Sequence, residues 1–170
     1  QDLHRIPEIG LEEYETSQYI KSKLSEFKIE FKEGYANTGI VAHIKGSQGN
    51  SDRSIGLRAD FDALPMPEKN DFDHKSTKEG MMHACGHDGH TSMLLGAAKY
   101  LSENNNFDGN VYLIFQPGEE GFAGGEKMIK DGMFNDFKID EVYALHNWPE
   151  LPLGSIGVNT GPMMAAVDEF

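Results

Sequence analysis

The sequence predicts an α/β fold, a three-layer sandwich of helices around a largely parallel or mixed sheet, from three observations. Short apolar runs that suit strands alternate with segments of helical periodicity, a pattern typical of sheets covered by helices. The run at residues 110–116 is too short for a helix and too apolar for a strand with one face in water, so we expect a central strand buried on both faces. Three predicted strands are followed by residue types that bind metals, as expected at the ligand-binding edge of an open sheet.

The composition narrows the classes of function. The formal net charge of −13 opposes binding to nucleic acid or to an anionic membrane, and no apolar run approaches the roughly 20 residues that cross a bilayer. A single cysteine cannot form an internal disulfide, which is compatible with a cytoplasmic location. At 170 residues the chain can bury a core of its own. We expect a fragment of a longer protein, because the chain does not begin with methionine and residues 165–170 show the alternation of a strand.

Periodicity places the elements of the first half of the chain. Apolar residues three or four positions apart predict one helix, and β-favouring residues predict three strands. These are a helix at residues 12–27 and strands at residues 28–32, 39–45 and 54–59. The last strand leads into an acidic loop that contains Asp60 and Asp62.

The second half alternates in the same way. Apolar residues recur at helical spacing from Leu94 to Leu101 and predict a helix that starts near His90 or Thr91. Its N-terminal end would favour a thiolate or a carboxylate through the helix dipole. After the strand at residues 110–116 we expect a short helix through residues 128–129 and a strand at residues 141–146.

Residues 83–90 contain the single cysteine and three of the seven histidines. Cys85 and His87 are separated by one glycine, so in an extended or turned backbone both side chains can face the same point, whereas a helix would separate them. Thiolate and imidazole bind zinc, and also manganese, cobalt or nickel, and Asp88 is placed to orient an imidazole. The alternative is a small buried cysteine beside a turn histidine with satisfied hydrogen bonds. The density of the cluster favours a metal site.

Carboxylates and a histidine follow the three predicted strands. Asp60 and Asp62 lie where ligands are expected, although aspartates at such positions commonly cap turns. Adjacent carboxylates at a strand end are expected to aim at different points, so one of Glu119 and Glu120 would bind a metal while the other faces the bound water. By itself this pair would be interpreted as a solvated acidic turn. His146 ends the third strand, which favours ligation over a structural role.

Four segments resemble, in order, the motifs of the M20 amidohydrolases. They are residues 58–65, 82–90, 115–121 and 144–147. The resemblance is closest to the branch of hippurate hydrolases and N-acyl-amino-acid amidohydrolases, which includes the plant auxin-conjugate hydrolases. It extends to the opening at residues 4–11 and covers nearly the whole chain. Four motifs in the same order make the resemblance specific.

The resemblance implies metal-dependent hydrolysis of the amide bond of N-acyl amino acids such as hippurate. It implies one or two divalent cations, zinc or manganese and alternatively cobalt or nickel. The family's ligand positions match Cys85, His87, Glu120 and His146. Glu119 matches the general base. Asp60 and Asp62 lie in the loop of the active-site aspartate, and the sequence does not decide which of them takes that role.

The resemblance also implies a domain organisation. Residues 1–163 match the first part of the catalytic domain, and residues 164–170 match the start of a second domain that serves for dimerisation and as a lid. A further metal-ligand histidine and the rest of the lid are not in this sequence, so we expect little hydrolase activity from this chain by itself. The full-length protein is expected to be a homodimer or homotetramer.

Three alternative functions stay open at this point. A related deacetylase or dipeptidase would share the site and differ in its substrate. A cysteine hydrolase that uses Cys85 with His83 or His87 would leave the acidic pair and His146 without a role, and chelators would not inactivate it. A metal-storage or sensor module would need no carboxylate beyond its ligands.

Overall fold

The computed structural model describes residues 1–163. Within this range the α-helices are α1 (Tyr14–Glu26), α2 (His87–Glu103), α3 (Glu119–Phe122), α4 (Gly124–Lys130) and α5 (Met133–Asp136). The strands are β1 (Glu30–Tyr35), β2 (Gly39–Lys45), β3 (Ser54–Asp60), β4 (Asn110–Gln116) and β5 (Glu141–Ala144). A single 3-10 turn, Leu3–Arg5, precedes α1.

The strands form one mixed sheet in the order β1-β2-β4-β3-β5. β2 pairs antiparallel with both β1 and β4, whereas β3 is parallel to both β4 and β5. The C-terminal ends of β4, β3 and β5 therefore meet at one edge, which is where ligands bind in open sheets. The predicted mixed sheet, with residues 110–116 at its centre, is confirmed.

Side chains of β4 contribute to two cores on opposite faces of the sheet. Leu113 and Phe115 pack into a core that contains apolar residues of α1 and α2. Ile114, between them, packs into a second core with Met128 of α4 and Met133 of α5. Because successive side chains on a strand alternate between its faces, β4 is buried on both sides. Helices on both faces give the predicted three-layer α/β sandwich.

Hydrogen bonds and backbone turns that periodicity does not reveal set the ends of α1. The Glu8 carboxylate accepts hydrogen bonds from the backbone N–H groups of Glu15 and Thr16, at 3.1 and 2.8 Å, and so satisfies free donors of the first helical turn. At the other end Lys28 adopts a left-handed backbone with φ of 59°, which ends the helix. The strand predicted at residues 28–32 therefore starts two residues too early.

The segment before α1 lies against the acidic loop and the start of α2. The His4 ring contacts the carboxylates of Glu68, at 3.1 Å, and Asp88, at 2.8 Å. The backbone N–H of Ala63 donates to the carbonyl oxygen of Glu8 at 2.8 Å. The first residues of the chain thus contact regions that follow them by more than 50 residues.

The end of β5 also differs from the prediction. Its pairing with β3 stops at Ala144, so the strand predicted at residues 141–146 is too long.

The predicted start of a second domain at residues 164–170, with its strand, lies outside the described residues. None of the helices within residues 1–163 is long and apolar enough to cross a membrane.

Candidate metal centre

The predicted site residues meet at the C-terminal edge of the parallel strands. Asp60 is the last residue of β3, Glu119 follows β4 by three residues, and His146 follows β5 by two. Cys85 and His87 reach the same edge from the start of α2. One ligand atom from each of Cys85, His87 and His146 lies within 4.8 Å of the other two. Asp60 and the pair Glu119 and Glu120 belong to two further groups of this kind, which also contain His87, so the side chains that follow three different strands are neighbours in space.

The backbone turns at Gly86, between Cys85 and His87. Gly86 has φ of +88°, a left-handed conformation that favours glycine, and a Cβ there would lie 2.5 Å from Oδ1 of Asn147. His87 is the first residue of α2, so the predicted start near His90 or Thr91 is three or four residues too late. The reason is that polar residues form the first turn, while apolar periodicity begins only at Leu94. The turned backbone lets Cys85 and His87 face a common point.

The hydrogen bonds of the fully buried His87 ring determine its tautomer. Nδ1 lies 2.9 Å from the carbonyl oxygen of Asp62, which can only accept, so in the neutral ring Nδ1 carries the proton and Nε2 the lone pair. Nε2 has no hydrogen-bond partner within residues 1–163. It faces three carboxylate oxygens, those of Asp60 at 3.7 Å, Glu120 at 3.9 Å and Glu119 at 4.0 Å.

A lone pair that faces three negative groups is unfavourable unless a cation lies among them. Burial lowers the pKa of His87, but the hydrogen bond to Asp62 and the charges of Asp60, Asp62 and Glu120 outweigh burial and raise it above its usual value. The lone pair of Nε2 can thus bind either a proton or a metal ion. The buried nitrogen, the thiol and the carboxylates fit a divalent cation.

Cys85 and His146 form the exposed side of the cluster. Sγ of Cys85 lies 3.5 Å from Nε2 of His146. Nδ1–H of His146 donates to the carbonyl oxygen of Asn147 at 2.7 Å, which leaves the lone pair on Nε2. Burial, followed by the hydrogen bond and charge of Glu120, raises the pKa of the Cys85 thiol to about 12. A metal ion reverses this preference, because a coordinated thiol is deprotonated.

Both carboxylates of the acidic pair face His87, and ligand atoms of Glu119, Glu120 and His87 lie within 4.8 Å of one another. The expectation that Glu119 and Glu120 aim at different points is therefore wrong. The turn that carries them is irregular, with ψ of 79° at Glu120 and φ of 82° at Gly121, so their side chains do not diverge as they would on a strand. Burial and the charge of Glu120 raise the pKa of Glu119. A raised pKa suits a carboxylate that takes up a proton near neutral pH.

The two aspartates of the acidic loop occupy different positions. Asp62 accepts hydrogen bonds from Nδ1–H of His87, at 3.1 Å, and from the backbone N–H of Glu120, at 2.8 Å. Asp62 therefore orients His87 and Glu120, two predicted ligands, through groups that do not themselves bind the metal. Asp60 instead directs Oδ2 towards Nε2 of His87, in the centre of the cluster. The two aspartates that the sequence did not distinguish therefore differ in what they contact.

His90 and Arg58 are site residues to which the sequence analysis gave no role. Nδ1 of His90 lies 2.7 Å from Oδ1 of Asp60, and Arg58 donates from Nη1 to Oδ2 at 2.7 Å. Burial raises the pKa of Asp60, but the His90 hydrogen bond and the Arg58 charge lower it to about 2. Ligand atoms of Asp60, His87 and His90 lie within 4.8 Å of one another. The available signal was the three-residue spacing of His87 and His90, which share a helix face.

Two other residues of the histidine-rich segment lie beside the cluster. Asp88 contacts the imidazole of His4 at 2.8 Å and not, as expected, that of a candidate metal ligand. His83 is buried, and neither ring nitrogen has a hydrogen-bond partner within residues 1–163. Burial lowers the pKa of His83 to about 4, which keeps the ring neutral at neutral pH.

Residues 56–168 match peptidase family M20/M25/M40. The chain belongs to this family. The M20 resemblance noted in the sequence is confirmed. Two curated relatives are a hippurate hydrolase of Campylobacter jejuni, 47% identical over 168 residues, and an N-acetyl-L-cysteine deacetylase of Bacillus subtilis, 48% identical over 170 residues. Both alignments cover 99% of this chain, but only 43% and 40% of the relatives. This M20 chain thus spans about two fifths of the length of these relatives.

The solved structures agree with this assignment. A dinuclear metal-binding peptidase of the M20 family from Bacillus subtilis is 40% identical to this chain, with a TM-score of 0.88. The match covers 95% of this chain and 44% of that one. The α/β sandwich described above is therefore an incomplete M20 catalytic domain.

Proposed function

We propose that this chain is the first part of a metal-dependent amidohydrolase that cleaves the amide bond of N-acyl amino acids. The observation that carries the proposal is the buried Nε2 of His87, whose lone pair faces three carboxylates without a hydrogen-bond partner in residues 1–163. Family membership supports it independently.

In this proposal four side chains hold one or two divalent cations. They are Cys85, His87, Glu120 and His146. Zinc and manganese, and alternatively cobalt or nickel, suit this mixture of thiolate, imidazole and carboxylate. Asp62 fixes the ring of His87 and the backbone of Glu120. Asp60, held ionised by His90 and Arg58, contributes negative charge beside Nε2 of His87.

Glu119 is the proposed general base. Its carboxylate is 44% exposed and lies beside the cluster, where a water molecule and a substrate can approach it. A bound divalent cation would supply a more acidic water and a polarised amide carbonyl. Glu119 then takes the proton of the attacking water and passes it to the leaving nitrogen as the C–N bond breaks. The products are a carboxylic acid and a free amino acid.

The proposed substrate class is supported by what the relatives share. A hippurate hydrolase and an N-acetyl-L-cysteine deacetylase are almost equally similar to this chain, and both names describe removal of an acyl group from an amino acid nitrogen. We place hippurate-like substrates first, and the alternative is deacetylation of an N-acetyl amino acid or cleavage of a dipeptide.

Within the proposal, the full-length protein is cytoplasmic and forms a homodimer or homotetramer. Size-exclusion chromatography with light scattering can test the oligomeric state.

A substrate panel on the full-length protein tests the proposal. Hippurate, N-acetylcysteine and a dipeptide are compared at equal concentration, with bound metal measured on the same sample. Cleavage of an N-acyl amino acid that stops on chelation and returns with zinc or manganese is the expected result. Activity that survives complete metal removal would favour a cysteine hydrolase, and metal binding without any amide cleavage would favour a storage or sensor module.

A further inference from the structure

The position of the proposed base depends on its backbone. Within residues 1–163 the Glu119 carboxylate accepts no hydrogen bond, and Nε2 of His87 is 4.0 Å away from it. Side-chain contacts therefore do not hold Glu119 in place. The position of the Glu119 carboxylate is therefore set by the backbone of the turn between β4 and α4, which contains the short element α3.

That turn is tight and irregular. Gly118 and Ala123 both have left-handed backbones, with φ of 57° and 52°, and the conformation is uncommon for alanine. The N–H of Gly124 donates to the carbonyl oxygen of Gly118 at 2.9 Å and closes the turn at its base. A Cβ at position 124 would lie 1.7 Å from the carbonyl oxygen of Pro117, so the closure leaves no space for a side chain. Such a turn needs contacts from outside itself to keep one conformation.

Two buried carboxylates supply these contacts, one on each side of Glu119. Asp62 accepts from the N–H of Glu120, as described above. Glu13, which is 0% exposed, accepts from the N–H of Gly118 through Oε1 at 2.9 Å. Glu13 lies 105 residues earlier, immediately before α1, and its other oxygen accepts from the Thr38 hydroxyl at 2.6 Å.

Burying Glu13 is costly, and its hydrogen bonds offset the cost only in part. Burial raises the pKa of Glu13, although the hydrogen bonds from Thr38 and Gly118 act in the opposite direction. An apolar side chain would fill the same space without this cost. A buried carboxylate at position 13 therefore indicates a role beyond packing.

We propose that Glu13 is a positioning residue, which fixes the Glu119 carboxylate by holding the backbone N–H of Gly118 between β4 and the acidic pair. The inference rests on the proposed role of Glu119 as general base. It gives the opening segment of the chain, residues 1–13, a function in catalysis, although this segment carries no predicted ligand.

Three variants of the metal-loaded, full-length protein test the inference. Glu13→Met fills the buried space and removes both acceptors. Glu13→Gln keeps an oxygen for Gly118 and offers an N–H group to Thr38. Thr38→Val is the matched control, because it removes the other hydrogen bond of the same carboxylate and leaves the one to Gly118 intact. For each variant kcat, KM and bound metal are measured, with amide hydrogen exchange of residues 116–124.

Glu13→Met should lower kcat roughly 10- to 100-fold with little change in KM or bound metal, because the base is displaced and the ligands are not. Glu13→Gln should restore most of kcat, and Thr38→Val should keep it. The Gly118 amide should exchange slowly in the wild type and in Thr38→Val, and faster in Glu13→Met.

Two results would overturn the inference. One is a pattern of kcat values in which Glu13→Met stays within about twofold of the wild type or Thr38→Val loses as much as Glu13→Met. The other is fast exchange of the Gly118 amide in the wild type, which needs no variant and decides the question even where Glu13→Met does not fold. If the wild type cleaves no N-acyl amino acid, the proposed function fails, whereas the exchange comparison still tests the hold of Glu13 on Gly118.

Discussion

The Asp62→Asn substitution should weaken metal binding to the metal-free protein by roughly 10- to 100-fold, or about 1.4 to 2.7 kcal/mol. Asp62 presents one oxygen to Nδ1–H of His87 at 3.1 Å and the other to the N–H of Glu120 at 2.8 Å. Asparagine has one oxygen, so one of these donors would meet an amide N–H instead. The carbonyl oxygen of Asp62 remains an acceptor for His87 at 2.9 Å, so binding should be weakened and not abolished.

Isothermal titration calorimetry with zinc or manganese measures this change. The matched control is Glu8→Gln, since Glu8 is also a buried carboxylate that accepts from two backbone N–H groups, those of Glu15 and Thr16. The control should lose stability without losing metal affinity. The orientation argument fails if Asp62→Asn binds metal within about twofold of the wild type, or if Glu8→Gln weakens binding to the same extent.

Three further predictions concern catalysis, pH and metal. Glu119→Gln should lower kcat by about 10²- to 10⁴-fold while bound metal, measured by mass spectrometry, stays at the wild-type level; a matching loss of metal would contradict the role of base. The folded-state pKa of Asp60 is lowered from 3.8 to about 2, so its ionised form stabilises the metal-free fold by ~2 kcal/mol above about pH 4, and this stability is lost as the pH falls towards 2. In urea unfolding, the stability difference between wild type and Asp60→Asn should therefore be smaller at about pH 2.5 than at about pH 6, and an unchanged difference would refute the assignment. Zinc or manganese at about 100 times its Kd should raise the unfolding free energy by about 2.7 kcal/mol in calorimetry, and Cys85→Ala combined with His87→Ala should remove this gain.

Much of the sheet could be predicted because each strand carries its own apolar pattern. The length and apolarity of residues 110–116 were enough to place β4 at the centre, where the structure has it. Two of the predicted boundaries were wrong for local reasons, one a backbone conformation and the other a polar helical turn. Lys28 is left-handed although it is not glycine, and the first turn of α2 is polar. Neither feature changes the hydrophobic period.

The candidate site, like the sheet, could be predicted only in part. Residue types that bind metals at strand ends could be found from the sequence, because parallel strands end at a common edge. The partners of those residues could not. Arg58 points its charge at Asp60 within one strand, and Glu13 reaches Gly118 across 105 residues, and no local pattern distinguishes them from ordinary charged residues.

The contacts of the opening segment also set when the site can form during synthesis. Residues 4–13 are synthesised before the residues that they contact, because Asp88, which His4 contacts, is 84 positions away and Gly118 is 105 positions from Glu13. Closing loops of this size is entropically costly and slow. Until Gly118 arrives, Glu13 lacks a hydrogen bond that its burial requires. A nascent chain that ends before Gly118 therefore lacks the contact that holds the turn before the acidic pair, and the candidate metal centre is complete only after β4 and β5 have joined the sheet.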